Sequence, residues 1–210
     1  MIATSLPVLP AEHRWPVAVA FGEVVLDPFT RRCLEEWERV RSANLAWLSP
    51  WDATTPPGGH RQTAEEMVKS FKHEAGWGRL VPWVIRLDHG RRDRPIVGQC
   101  TLSGILYGSV LSASVGYWID QRYAGRGITP RAVALATDYA MRVMRLHRVE
   151  ICIRPENKPS QRVVEKLGFR YEGIRTSYIH IAGDWRDHLC FALTAEEAGD
   201  GLCARIASQQ

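Results

Sequence analysis

The amino-acid sequence predicts a single α/β domain. Three observations carry the prediction. Two-residue alternation and helical periodicity interleave along the chain instead of segregating into blocks. The 210 residues are little more than one domain of about 150 residues. No internal repeat, low-complexity stretch or linker interrupts the series.

Val17 to Leu26 reads as the first strand, kinked at Gly22. From about Thr30, Cys33, Leu34, Trp37, Val40 and Leu45 fall near one helical face. Ser49 to Gly59, rich in proline and glycine, is a loop. Thr63-Ala-Glu-Glu66 is a capping box that opens a second helix to about Ala75. Leu80 to Asp88, Pro95 to Leu106 and Leu111 to Ile119 are strands, the first two joined by the charged loop His89 to Arg94. After the glycine-bearing turn Asp120 to Gly127, Thr129 and Pro130 fit the cap and first position of a helix to about Leu146. Its polar stripe is Arg131, Asp138, Arg142 and Arg145, opposite Val133, Ala136, Ala140 and Met144. A short strand, Val149 to Ile153, precedes a helix from Pro159 to Leu167 that Gly168 terminates. Phe169 to Ile181 and Trp185 to Leu193 form a hairpin; Thr194-Ala-Glu-Glu197 caps one more helix, followed by a frayed tail.

Composition narrows the functional classes. With 45% hydrophobic and 24% charged residues, the chain is neither collagenous nor wholly disordered. No run of ~18 apolar residues spans a membrane, and the segment up to Trp15 lacks the basic and apolar regions of a signal peptide. The five cysteines make no C-x-x-C and the seven histidines no H-x-x-x-H. A reduced, cytoplasmic protein without a metal site is expected. The net charge of +4 is a mild surplus suited to nucleic acid, a phosphate-rich cofactor or an acidic partner. Arg91-Arg92-Asp93-Arg94 is a loop without interleaved aromatics, so direct nucleic-acid binding is not expected.

Two segments carry chemistry. In Arg122-Tyr-Ala-Gly125-Arg-Gly127-Ile-Thr129, between a strand and a helix, backbone amides and the helix N-terminus form an anion site suited to a pyrophosphate. Gly125 and Gly127 permit the turn; read alone, it also fits an ordinary tight turn. In Asn157 to Phe169, Ser160, Val163, Val164 and Leu167 share the inward face of a helix, and Asn157 precedes its first turn. Taken alone, Asn157 and Ser160 also fit two capping residues.

Together the motifs R-x-x-G-x-G, N-x-x-S and K-x-G-F resemble the GNAT superfamily of acyl-CoA-dependent N-acyltransferases. Val115 to Ile119, Glu172-Gly173, Trp185-Arg-Asp-His188 and Leu48-Ser-Pro-Trp51 look like its RimJ/RimL-type branch, and the resemblance runs from about Val17 to Leu193. It implies an N-terminal extension over 1–14, a GNAT domain over 15–197 and a C-terminal tail over 198–210. It also implies a mixed, mostly antiparallel sheet of six to seven strands, splayed at the acyl-CoA site and flanked by helices. Acetyl-CoA is the implied co-substrate: its pantetheine arm on the backbone of Tyr117, Trp118 and Ile119 and on Asn157, its pyrophosphate on the amides of Arg122, Gly125, Arg126, Gly127, Ile128 and Thr129. The Arg122 and Arg126 side chains either add charge there or belong to a solvated basic loop.

The implied reaction is direct attack of an amine on the thioester. Ser160 would assist the departing thiolate, since the position of the tyrosine many relatives use is Val164. A backbone N–H near Trp118 would polarise the carbonyl. Glu150 is the candidate base, two residues before the family's position at Cys152 and on the same strand face. Read as a residue alone, it also fits a structural carboxylate paired with Arg148 or Arg170. Glu172 and His180 are secondary candidates. A glutamate that RimL-type relatives place further along this strand is Ile179 here, which favours RimJ-like character.

The implied acceptor is a protein N-terminal α-amine, for example the alanine of a ribosomal protein. A small-molecule amine is the alternative, and a non-catalytic acyl-CoA-binding module a third. Monomer or homodimer both fit. Among the eight tryptophans, Trp37, Trp83 and Trp185 fit the core, and Trp47 and Trp51 the acceptor wall.

Overall fold

The structure, a computed structural model, describes residues 15–60, 62–90 and 93–208. The expected N-terminal extension and the Arg91-Arg92 pair lie outside the described residues. The elements are β1 (Val19–Phe21), β2 (Val24–Pro28), α1 (Leu34–Ala43), α2 (Leu45–Leu48), α3 (Ala64–Gly76), β3 (Val81–Leu87), β4 (Ile96–Leu106), β5 (Ser112–Ile119) and α4 (Ile128–Asp138). Then follow β6 (Arg148–Ile153), α5 (Lys158–Leu167), β7 (Arg170–Ile181), β8 (Asp184–Thr194), α6 (Ala195–Ala198) and α7 (Leu202–Ala207).

The strands form one α/β sheet in the order β1-β2-β3-β4-β5-β6-β8-β7. It has eight strands, not six to seven. The extra strand arises because Gly22 takes a left-handed φ of +58° and reverses the chain, so that Phe21 pairs with Val24. An L-residue with a bulky side chain adopts that conformation rarely. All neighbouring pairs are antiparallel except β5 and β6.

That parallel pair positions the site. Only Ser112–Ser114 register with Arg148–Glu150. Beyond them β5 stays on β4 and β6 stays on β8, so the sheet splays open.

Strand alternation sorts the two faces. In β6, Val149, Ile151 and Ile153 are buried while Arg148, Glu150 and Cys152 face the other side. The buried set joins Trp83, Leu102, Met144 and Leu167 in a core beneath α4, α5 and α7. A smaller core of Phe29, Cys33, Val84 and Ile96, with Trp37 and Phe71 against it, lies beneath α1 and α3. β3 runs between the two cores, which is why its residues are buried on both faces.

α4 begins at Ile128, ahead of the expected Thr129 cap, because Gly127 at φ +73° is its cap residue. Pro130 still falls in the first turn, where its missing N–H costs nothing. After Asp138 the helix widens into a π turn over Tyr139–Val143.

The tail expected to fray is ordered over 202–207. The Asp138 carboxylate accepts from the amides of Leu202 (2.7 Å) and Cys203 (3.0 Å), and Leu202 and Ile206 enter the main core. Trp185 is not in the core; it is 52% exposed. β6 pairs only with Leu189–Thr194 of β8, so past β6 the start of β8 pairs with β7 alone, and Trp185, in register with His180, stands edge-on to its ring.

Candidate active site

The splay opens a cleft of about 710 Å³ between β5, the start of α4, the start of α5 and the α2–α3 connection. Trp47, Trp51, Tyr117, Trp118, Ile119, Gly125, Gly127, Ile128, Thr129, Asn157 and Ser160 line it. Glu150, Arg122 and Arg126 are not among the lining residues.

At one end lies the glycine turn. Asp120, 1% exposed, accepts from the Arg122 amide (3.0 Å) and from its Nε (3.1 Å) and Nη2 (2.6 Å). Burial opposes ionisation of Asp120, but these bonds prevail and hold the carboxyl below its ordinary range. Asn44, also buried, accepts from the Gln121 amide (2.9 Å) and donates to the Val40 carbonyl (2.9 Å), tying the turn to α1. Gly125 and Gly127 both take left-handed φ, +77° and +73°. No side chain caps α4, so its first amides and the positive end of its dipole face the cleft. The Arg122 guanidinium is held by Asp120, and Arg126 lies over the Tyr123 ring at 5.2 Å. The cations that do line the cleft are Arg162 and Lys166 of α5. Their i, i+4 spacing was visible in the sequence, but nothing local showed which side of α5 meets the turn.

In the middle of the cleft, Asn157 caps α5: its Oδ1 accepts from the Ser160 amide at 3.2 Å. The Ser160 hydroxyl lies 2.7 Å from that of Tyr117, whose pKa burial pushes upward. Trp118 donates to Gln99 Oε1 at 3.3 Å, which also accepts from Trp37 at 2.8 Å. Trp47 donates to the Ile119 carbonyl at 3.1 Å, so that carbonyl is already engaged. Past Ser114, the β6-facing main-chain groups of β5 have no strand partner.

Glu150 sits at the apex of the splay, opposite Ser114. One oxygen accepts from Arg148 Nε (2.9 Å) and the other from Arg175 Nη2 (2.8 Å). It is an ion-paired carboxylate, with Arg175 in place of Arg170, and it does not line the cleft that Ser160 lines. Glu172 is held down to about 2 by Arg148 and then Arg170, which makes it a weak base. His180 is buried, with Nδ1 at 2.8 Å from the Thr54 hydroxyl.

Across the sheet from α5, the cleft continues between Trp47, Trp51, Phe71, Gln99 and Trp118, with one carboxylate, Asp52. Asp52 accepts from Arg41 at 2.5 Å, and the Arg41 guanidinium lies 5.0 Å from the Trp118 ring centre. The loop behind Trp51 is clasped to the β7–β8 hairpin. Thr54 donates its amide to His180 (2.8 Å), Arg154 donates to the Pro50 carbonyl (2.7 Å), and Ala53 bridges to Ile181. Among the described residues, no group of three or more His, Cys, Asp or Glu could hold a metal, and no helix is long and apolar enough to cross a membrane.

Comparison with known proteins agrees with this geometry. Residues 24–170 match the family described as "Acetyltransferase (GNAT) domain". The "[Ribosomal protein uS5]-alanine N-acetyltransferase" of Escherichia coli is 30% identical over 187 residues, 87% of this chain and 83% of that protein. The "Probable N-acetyltransferase YjcK" of Bacillus subtilis is 40% identical over 101 residues, 48% of this chain and only 56% of that protein. The structure titled "Mycobacterium smegmatis RimJ in complex with CoA-disulfide" superposes with a TM-score of 0.84 at 35% identity, covering 93% of this chain and 95% of that one.

Proposed function

Because the chain belongs to the acetyltransferase (GNAT) domain family, we propose that it acetylates the α-amine of a polypeptide N-terminus in the cytoplasm, using acetyl-CoA. The observation that carries this reading is the continuity of the cleft. One splay joins an anion-binding turn, an exposed strand edge, a hydroxyl and an aromatic chamber with a single carboxylate.

The residues present fit acetyl-CoA. Bound there, it supplies an activated acetyl thioester. The amides from Gly125 to Thr129, that of Arg126 included, hold the pyrophosphate, and Arg162 and Lys166 add positive charge; the Arg122 amide, expected to join them, is bound to Asp120 instead. The main-chain groups of Tyr117, which face the splay, hold the pantetheine arm, while those of Trp118 turn to Gln99 of β4; Asn157, whose Oδ1 serves Ser160, donates through Nδ2. An N–H near Trp118 stabilises negative charge developing on the carbonyl oxygen. Ser160 hydrogen-bonds the departing sulfur.

The acceptor end suits a linear group carrying one amine. Trp47 and Trp51 line it, and Asp52, held by Arg41 through Oδ2, offers Oδ1 to that amine; Arg41 and Arg154 already lie against the Trp118 and Trp51 rings. An α-amine of pKa about 8 is roughly one-tenth neutral at pH 7, against under a thousandth for a lysine near 10.4. Loss of its proton to water then suffices, and no carboxylate beside the thioester is required. The names of the relatives support a ribosomal protein beginning with alanine as the acceptor.

The test is incubation with acetyl-CoA and an alanine-starting peptide, read by mass spectrometry. The peptide gains one acetyl group at its N-terminus and the N-terminally blocked peptide gains none. Acetylation of a polyamine or aminoglycoside but of no peptide would refute the acceptor assignment.

A further inference from the structure

Ser160 does not act alone. Its Oγ lies 2.7 Å from the Tyr117 hydroxyl, and the two residues come from β5 and α5, 43 positions apart. We propose that Tyr117 is a positioning residue: its phenol donates to Ser160 Oγ and leaves the serine's own proton directed at the departing sulfur, a role that rests on the acetyl-transfer reading above.

A serine hydroxyl has one proton and two lone pairs. Spent on Tyr117, that proton cannot reach a thiolate. Supplied with a hydrogen bond by Tyr117, the oxygen has one lone pair occupied and its proton free. The phenol is suited to donate, because burial keeps it protonated. The titratable group acting on it, Cys100, is itself pushed up to about 12 by burial and stays neutral. The competing acceptor, the Ser160 carbonyl, is 3.5 Å from the phenol oxygen, at the limit of a hydrogen bond. The Ser160 backbone cannot swing away, since Asn157 holds its amide at 3.2 Å.

The step balances without any change in these two residues. The amine nitrogen bonds to the carbonyl carbon, and the C–S bond breaks with its electron pair going to sulfur. The surplus proton on nitrogen passes to solvent. Ser160 and Tyr117 keep their protons and contribute hydrogen bonds to the thiolate and to each other.

The experiment compares wild type, Tyr117→Phe, Ser160→Ala and the double variant by two readouts. One is kcat and KM with whichever amine the wild type acetylates. The other, independent of any acceptor, is the pKa of the thiol of bound CoA, from its ultraviolet thiolate absorbance. Ser160→Ala lowers kcat on the order of a hundredfold and Tyr117→Phe on the order of tenfold, with the KM for acetyl-CoA within about twofold. The double variant falls no further than Ser160→Ala. Both single variants raise the bound thiol's pKa, and fluorotyrosine at 117, a stronger donor of nearly the same shape, lowers it. An unchanged thiol pKa and kcat in Tyr117→Phe, or fully additive losses, overturns the proposal. A wild type that leaves peptides unacetylated overturns the acceptor reading instead, and the thiol comparison still decides the role of Tyr117. Should Tyr117→Phe not fold, fluorotyrosine and Ser160→Ala decide through the same thiol pKa.

Discussion

Removing helix α7 tests whether the chain's last helix is part of the domain. Leu202 is 0% and Ile206 2% exposed, both in the core shared with α4 and α5. Burial of a Leu or Ile side chain stabilises by about 1.5–3 kcal/mol, so the two together contribute about 3–6 kcal/mol. That is a large part of a typical stability of about 5–15 kcal/mol. Leu202→Ala alone should cost about 2–5 kcal/mol, the range for a cavity in a packed core. Deleting residues 201–210 should also remove Arg205, whose Nη1 donates to the Leu167 carbonyl at 2.6 Å and so closes the end of α5. The assay is urea unfolding followed by circular dichroism. A midpoint that drops sharply at unchanged slope is the expected result for Leu202→Ala. A loss under about 1 kcal/mol for either change would refute the claim that α7 helps hold the two helices framing the cleft.

Three further outcomes follow from the geometry. Glu150→Gln should change kcat by less than about threefold, because both carboxylate oxygens serve Arg148 and Arg175; a hundredfold loss in steady-state turnover would restore it as the base. Asp52→Asn should raise the KM for a peptide acceptor on the order of tenfold while leaving that for acetyl-CoA unchanged, and equal effects on both would place Asp52 outside acceptor binding. Glu172 is held down to about 2 against about 4.3 when unfolded. Its lowered folded pKa means that its stabilisation is full above about pH 5 and is lost as pH falls through that window. Urea midpoints measured from neutral to acid pH should therefore fall less steeply in Glu172→Gln, and parallel curves would contradict the ion-pair assignment.

What the sequence alone determined is what depends on neighbours along the chain. The capping boxes at Thr63 and Thr194, the Asn157 cap and the Gly168 stop all stand as read, because each is satisfied within three or four residues. The Gly125–Gly127 turn was legible for the same reason: left-handed backbone and a free helix N-terminus are local properties. Periodicity put Ser160 on the inward face of α5 with Val163, Val164 and Leu167; those three are buried, and that the cleft opens at Ser160 is visible only in the structure. Only the tertiary structure decided who meets whom. Tyr117 reaches Ser160 over 43 residues, Asp138 caps α7 over 64, and Arg175 closes on Glu150 over 25. Trp185 shows the same limit from the other side: its apolar pattern suited a core, but β6 ends before reaching it and only β7 lies beside it. Hydrogen bonds and ion pairs form through space at about 3 Å, and an order of residues along a line does not carry those distances.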